Sequence, residues 1–432
     1  MTCSGAPKGM VLMLALASSP ALAQRGQGNA QFQRYPFDKW ATEDAKPQIA
    51  WSVRIDPPRL SPHQRLITGL HVTVAPDEIR KQKGNGPILV FARIEDPGGH
   101  RYQTGSQTPM ARLHRGDRFL QLDYDVSAFV LPGEYVVSLA VCDGATLQHS
   151  FIRQRLHVAP IKPDPLPDSW SGLPAVEFLP DIGAPDSWYL PQVRYGIALP
   201  LAAEHPLRVE LLVNTTPSEL GSPASFRRSM ELIVPALKVL TGLNSASEAT
   251  SVGGTILDLN RRVQAYRQPD LRGADLRREW FELRPSFTEL SAASIEAKTL
   301  AGQRKTLDFF SGEVDSLLGG HGSGGGEHDR AARVLIVLSA PAFFEHQEAP
   351  PLPDLPADPG RRVFFISYSP LASVVQADPA SAARPLGQRP LYLFTDDIAH
   401  LLKPLGARVF RVSRPEEFRK ALGAILDEIA KM

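Results

Sequence analysis

This sequence has few cysteines, almost no excess of either charge and no long apolar runs. Its 432 residues include 2 Cys, and 47 Lys and Arg residues balance 46 Asp and Glu residues. So even a balance provides no field that would attract nucleic acid or an anionic membrane. No segment of the mature chain approaches the roughly 20 apolar residues of a membrane span. We therefore expect a soluble protein that has no transmembrane segment and does not bind nucleic acid.

Catalytic motifs are also missing. The sequence contains neither G-x-S-x-G nor H-E-x-x-H, and the Gly-rich stretch 319–326 lacks the G-K-[ST] that ends a phosphate-binding loop. His321, Glu327, His328 and Asp329 lie in or beside that stretch, but their spacing fits no established metal site. No catalytic residue is predicted, and the chain is expected not to be an enzyme.

The first 23 residues have the pattern of a signal peptide. Lys8 supplies a positive start, residues 10–17 are apolar, and Ala21-Leu22-Ala23 is a small-x-small cleavage site. Cleavage there removes Cys3 and leaves Cys142 as the single thiol, which rules out an internal disulfide in the mature chain. The protein is expected to be exported, either periplasmic or extracellular, with Cys142 as a small buried apolar side chain.

The first half of the mature chain predicts an all-β domain. Residues 24–44 are polar and aperiodic and predict a flexible arm, and 45–159 carry short apolar runs separated by turn residues, as in a β-sandwich. The approach to one strand, Leu-Pro-Gly-Glu-Tyr at 131–135, resembles the tyrosine corner of immunoglobulin-like and fibronectin-like modules. A Pro-rich linker is predicted at 160–204. The predicted strands are 49–55, 66–74, 88–94, 119–124, 135–141 and 151–158.

From residue 205 the apolar spacing switches between that of strands and that of helices. Strands that are apolar throughout and alternate with helices are typical of a parallel sheet covered on both faces. The fold class predicted for 205–432 is therefore a doubly wound, mostly parallel α/β domain. The predicted strands are 208–213, 255–259, 294–298, 333–339, 363–368 and 408–412, and the predicted helices are 222–240, 303–318, 396–403 and 415–432.

The first of these strands, 208–213, is followed by the polar motif Asn214-Thr215-Thr216-Pro217-Ser218. This motif, with the strand pattern after it, resembles that of a von Willebrand factor type A domain. In that family a D-x-S-x-S motif binds a divalent cation, together with a Thr from a second loop and an Asp after a later strand. The resemblance covers about 205–432. It implies that Asn214 stands at the Asp position, Thr216 and Ser218 at the hydroxyl positions, Thr306 at the loop Thr and Ala340 at the last Asp.

Two departures from that motif argue against a metal. Mg²⁺ is normally held by hard oxygens that include one or two carboxylates. Asn214 keeps an oxygen without the charge, and Ala340 supplies neither. No cofactor is therefore expected, with Mg²⁺ as the alternative. Asn214, Thr216 and Ser218 are expected to cap the next helix and to hydrogen-bond the strand-end loop.

The resulting hypothesis is an exported, non-enzymatic protein that binds another protein through the loops at this end of the sheet. Candidate contacts are Asn214, Thr216, Ser218 and the insertions 319–329 and 350–359. Three alternatives stay open. They are a Mg²⁺-dependent adhesion protein whose missing carboxylates come from elsewhere in the chain, a hydrolase or nucleotide-binding enzyme on the same scaffold, and a structural component of the cell envelope.

Overall fold

Strands outnumber helices in the part of the chain that the computed structural model describes. That part comprises residues 34–43, 46–81, 86–109, 122–179, 193–202, 205–216, 223–245, 250–271, 303–319, 331–341, 360–368 and 396–432. Several predictions lie outside it, namely the signal peptide 1–23, the strand 294–298, Ser218, and almost all of the insertions 319–329 and 350–359.

The strands show two burial patterns. In β3 (Leu66–Val74), buried and half-buried residues alternate along the whole strand, as the two-residue period of a strand covered on one face requires. In β4 (Ile88–Glu95) and β13 (Ser251–Asp258), consecutive residues are buried, because both faces of the strand are covered. The strands are β1 Trp51–Ile55, β2 Arg59–Leu60, β3 Leu66–Val74, β4 Ile88–Glu95, β5 Arg101–Thr108, β6 Leu122–Val130, β7 Gly133–Asp143, β8 His149–Val158, β9 Val176–Phe178, β10 Leu199–Leu201, β11 Leu207–Asn214, β12 Leu243–Ser245, β13 Ser251–Asp258, β14 Val263–Gln268, β15 Ala332–Ser339, β16 Arg361–Tyr368 and β17 Arg408–Val412. The helices are α1 Phe37–Trp40, α2 Pro76–Lys81, α3 Pro223–Leu240, α4 Gln303–Gly319, α5 Asp397–Leu402 and α6 Pro415–Ile429, with a 3-10 turn at Lys403–Leu405.

The chain forms two compact units. The first consists of Met1–Val53, Val72–Tyr124 and Glu134–Leu156, and the second of Arg54–His71, Asp125–Gly133 and His157–Met432. β1, β3 and β6 therefore each contribute residues to both units. They belong to a five-stranded sheet of order β1-β3-β6-β9, in which β2 also pairs with β3.

The first unit contains a four-stranded sheet of order β5-β4-β7-β8, in which β4 is antiparallel to both β5 and β7. The short α1 covers one face of this sheet, where Phe37 and Trp40 pack against Leu89, Phe91 and Cys142. A helix of one turn is not stable alone in water. These contacts hold it in place.

A six-stranded sheet of order β14-β13-β11-β15-β16-β17 lies in the second unit. β11 is parallel to β13 and β15, and β16 is parallel to β15 and β17, whereas β14 is antiparallel to β13. Both faces of the sheet are buried. Alternate strand residues pack with α3 and α6 in one apolar cluster and with α4 and α5 in another.

The predicted fold class, a doubly wound, mostly parallel α/β domain behind an all-β sandwich, is wrong. The described residues are 44% strand and 23% helix, and they form antiparallel and mixed sheets. β14 shows one physical reason. It follows β13 after only the turn residues 259–262, and a parallel crossover needs a dozen or more residues, so the strand has to return antiparallel.

Buried ion pairs anchor the segment 157–201 within the second unit. Arg65 donates a hydrogen bond to Glu177, whose other carboxylate oxygen accepts from the Arg194 N–H at 2.8 Å. Further along, β10 pairs in parallel with β12. The described parts of this stretch, 157–179 and 193–201, are therefore hydrogen-bonded within the second unit at several points.

Candidate functional site

The carboxyl ends of three neighbouring strands in the second unit carry a polar row. Asn214 of β11 lies in register with Ser339 of β15, and Ser339 with Ser367 of β16. The three side chains are at most 3% exposed. Because side chains alternate between the faces of a sheet, the row continues the face covered by α4 and α5.

Hydrogen bonds within the protein engage this row. The Asn214 Nδ2 donates to Ser339 Oγ at 2.9 Å, and Ser339 Oγ donates in turn to the Ala340 carbonyl at 2.5 Å. The Asn214 Oδ1 accepts from the Thr216 N–H at 3.0 Å. Ser367 Oγ donates to Asp396, the N-cap of α5, at 2.8 Å. The polar side chains of the row are therefore hydrogen-bonded to one another or to nearby residues of the same unit.

Of the other predicted site residues, Thr216 and Ala340 lie just after β11 and β15, the strands that end in Asn214 and Ser339. Thr216 Oγ1 accepts from the Leu259 N–H at 2.6 Å, and Ala340 is buried directly after β15. Thr306 is buried in the first turn of α4, and none of the hydrogen bonds found among the described residues joins it to Asn214. Ser218 lies outside the described residues.

The described members of this set, Asn214, Thr216, Thr306 and Ala340, supply no carboxylate for Mg²⁺. Both amide atoms of Asn214 are hydrogen-bonded internally, and Ala340 has no ligand atom in its side chain. Across the described ranges, no group of three or more His, Cys, Asp or Glu side chains is arranged to hold a metal ion. The strand-end row has the contacts of a structural cap.

His71 of β3 forms a second polar cluster in the second unit. Its Nδ1 bonds Asp125 at 2.5 Å and its Nε2 bonds Asp56 at 2.8 Å. A neutral imidazole has one N–H, so two carboxylate partners favour the protonated ring. Burial lowers the pKa of His71, but the hydrogen bonds and charges of the two aspartates outweigh burial and raise it. The two carboxylates approach different nitrogens and do not converge on one point, so this is an ion-pair clamp.

A small cleft lies in the first unit. Its volume is about 330 Å³, and it lies between the end of α1 and the start of β8. The Trp40 and His149 rings stack in its wall with centroids 4.5 Å apart. The His149 Nδ1 lies 3.2 Å from the Leu147 carbonyl, to which it can only donate, so in a neutral ring Nε2 is an acceptor. Nε2 is buried, and none of the described residues forms a hydrogen bond with it.

Among the described strands, β8 is the last of its sheet, and from Phe151 onwards no other described strand pairs with its outer edge. The His149 C=O accepts from the Gln48 N–H at 3.2 Å, and its N–H donates to Gln48 Oε1 at 3.1 Å, so both groups point away from β7. Along a strand, the N–H and C=O groups of successive residues point alternately to the two neighbouring sides. Phe151, Arg153 and Arg155 therefore also point away from β7, and no described residue pairs with their backbone on that side.

Sequence reasoning predicted this strand but not its role. Phe151, Arg153 and Arg155 alternate with Ile152, Gln154 and Leu156, a signal for one cationic face. Nothing local shows that β8 ends a sheet, or that Trp40 stacks on a histidine more than a hundred residues later. Both facts depend on long-range packing.

Comparison with known proteins adds little. No family model and no curated protein matches this chain. A Northeast Structural Genomics Consortium target is 12% identical, with a TM-score of 0.16, over 26% of this chain and 87% of its own. The putative ApaA protein from Bordetella pertussis is 10% identical, with a TM-score of 0.17, over 27% of this chain and 99% of its own. Scores this low carry no argument, and the resemblance to von Willebrand factor type A domains stays a prediction.

None of the helices in the described part of the chain combines the length and apolarity that a bilayer span requires.

Proposed function

We propose that this chain is an exported, non-enzymatic protein that binds an extended segment of another protein against β8 in the first unit. The observation that carries the proposal is the cleft beside the open edge of β8. An exposed sheet edge binds an added strand through backbone hydrogen bonds, and adjacent pockets select its side chains.

The size of the cleft favours a side chain over a whole small molecule. Its volume of about 330 Å³ is at the lower end of the roughly 300–1,000 Å³ typical of ligand pockets. Trp40 and Phe151 give its wall aromatic surface, but most of the accessible lining is polar and includes Glu43, His149 and Arg153. The unpaired Nε2 of His149 belongs to the same wall, and a buried acceptor without a donor costs about 1–3 kcal/mol, which a donor from the partner would offset.

The strand-end row in the second unit supports binding less well. The side chain of Asn214 is buried and already hydrogen-bonded, so it has little to offer a partner.

Export rests on residues 1–23, and the mass of the chain recovered from its source cells tests it. Cleavage after Ala23 would leave Gln24 as the first residue.

A proline substitution tests the binding edge. In Arg153→Pro the outward N–H is lost, while the bonds to β7 stay because Arg153 does not face that strand. Arg153→Ala is the matched control, since it keeps the N–H. Ala41→Phe fills the cleft from its wall. All are made in the full chain, with thermal melting to verify folding.

Binding to an immobilised library of diverse extended peptides is the measurement. The wild type is expected to retain a subset, and the proline and phenylalanine variants to lose those peptides by about tenfold or more, whereas the alanine variant keeps the backbone contribution. Equal binding by Arg153→Pro, or no peptide retained by the wild type at concentrations up to about 1 mM, contradicts the proposal.

A further inference from the structure

We infer that the segment bound at β8 is an acidic strand, with carboxylates at alternate positions opposite Arg153 and Arg155 and an aromatic side chain opposite Phe151. This inference rests on the proposed function and specifies the partner's chemistry. It is carried by the charge and spacing of the side chains along the open edge.

Arg153 and Arg155 are both exposed on β8. They lie two residues apart, so their side chains point to the same face of the sheet. An added strand places its own side chains directly opposite on that face, about 4.5–5.5 Å away between Cβ atoms. Opposite charges at such positions stabilise the pairing, and like charges destabilise it. The added strand is therefore selected for Asp or Glu at both positions.

The same face turns apolar towards the start of β8. Phe151 precedes Arg153 by two residues and packs against Phe37 of α1, with ring centroids 5.5 Å apart. His149 and Trp40 follow in the same direction. In an added strand that runs antiparallel to β8, the next alternate side chain lies opposite Phe151, so the expected pattern is two alternating acids followed by an aromatic residue. Glu43 at the cleft is already paired with Lys39 at 3.3 Å.

A second copy of this chain is a poorer occupant. Pairing β8 with β8 of another molecule would bring arginines of the two strands close together, and charged residues on an edge strand are a common defence against such pairing. That defence does not act against an acidic strand. The two arginines therefore disfavour pairing with a second copy of this chain and favour pairing with an acidic strand.

Synthetic peptides test the charge pattern. The probe is a fluorescent peptide in which Glu alternates with Thr and leads to one Phe, and the comparison peptide carries Lys in place of Glu. Both are titrated against the full-length wild type, against Arg153→Glu with Arg155→Glu, and against a control with Arg267→Glu and Arg411→Glu. The control arginines are exposed on the two outer strands of the six-stranded sheet and match the change in charge.

The wild type and the control are expected to bind the Glu peptide about tenfold more tightly than the Lys peptide, and the reversed variant to prefer the Lys peptide. If the wild type binds both peptides equally, or the reversed variant keeps the wild-type preference, the acidic partner is wrong while strand binding stands. If the wild type binds neither of these peptides nor any of the library, the proposed function itself fails.

Discussion

Arg419 in α6 holds Asp164, 255 residues earlier in the chain, through two hydrogen bonds of 2.7 and 2.8 Å. The arginine is 1% exposed. It also donates to the Leu166 carbonyl and to Ser169 Oγ, each at 2.9 Å, and lies over the ring of Trp170. One side chain thus joins the last helix of the chain to the segment that precedes β9.

Replacing Arg419 with Met tests how much this pair contributes to stability. Removing one member of a buried, hydrogen-bonded pair typically costs about 3–5 kcal/mol, because the partner is left without its counter-charge. We expect a loss of that size in the free energy of unfolding measured with urea. Arg408→Ala, which breaks a half-exposed pair with Glu428, should cost less than about 1 kcal/mol. Equal losses in the two variants would show that Arg419 has no special role.

The His71 clamp should make stability depend on pH. The pKa of His71 is raised above 6.5, so its contribution is complete below pH 6.5 and is lost as pH rises through the folded value. The hydrogen bond from His71 lowers the pKa of Asp56 below 3.8, so that contribution is lost as pH falls through its folded value. The clamp is strongest between these limits, from about pH 4 to pH 6.5.

Urea unfolding of His71→Gln at about pH 5.5 and about pH 8.5 checks this expectation. The variant should lose about 1 kcal/mol or less at the lower pH, because the carboxylates are well exposed, and less at the higher pH. Gly69→Ala should act in the same way, since a Cβ there would lie 2.8 Å from His71 Nε2. His100→Gln, which alters an exposed contact with Asp96, is the control. A loss that grows with pH would contradict the clamp.

Asn214→Asp should destabilise the second unit. The new carboxylate has no donor for Ser339 Oγ, whose hydroxyl already donates to Ala340, and it is buried. We expect a loss of about 1–3 kcal/mol at neutral pH, which thermal melting will measure. Gln154→Glu, the same amide-to-acid change on an exposed residue, should cost less than about 0.5 kcal/mol. Recovery of Asn214→Asp in Mg²⁺ would show that other residues complete a cation site.

Cys142 should resist thiol reagents until the first unit unfolds. Its side chain is 0% exposed, and burial followed by the charge of Asp143 raises the pKa of the thiol to about 12. Thiolate is the reactive form, so both access and ionisation are blocked. In a Cys3→Ser chain, labelling by a chromogenic disulfide reagent should be negligible in buffer and complete in denaturant. Rapid labelling of the folded protein would contradict this burial, and Cys142→Ala gives the background.

Local signals predicted many elements well. The predicted strands 66–74 and 333–339 correspond to β3 and β15, and the helix begun at Pro415 corresponds to α6. These segments have a clear apolar period, which reports which side of an element is buried. β5 was missed because its sequence, Arg-Tyr-Gln-Thr-Gly-Ser-Gln-Thr, is polar and it is only partly buried.

The candidate sites also have one part that the sequence could predict and one part that it could not. Ser339 and Ser367 each occupy the carboxyl end of an apolar strand, so their place at a sheet end could have been inferred from the sequence. Their bonds to Asn214 and Asp396 could not, because those need the register between strands and the position of α5. Predicting the cleft would also require the packing of α1, since Trp40 and His149 meet only when α1 lies on the sheet.

The sequence by itself determined the elements with a strong period, the burial of Cys142 and the alternating cationic side chains of β8, because each follows from spacing over a few residues. Only the tertiary structure decided the direction of β14, the open edge of β8 and the pairing of Arg419 with Asp164. These features depend on contacts between distant segments. Such contacts form when the free energy gained by burying whole faces outweighs the entropic cost of closing long loops. The local spacing of residues does not predict which faces pack together.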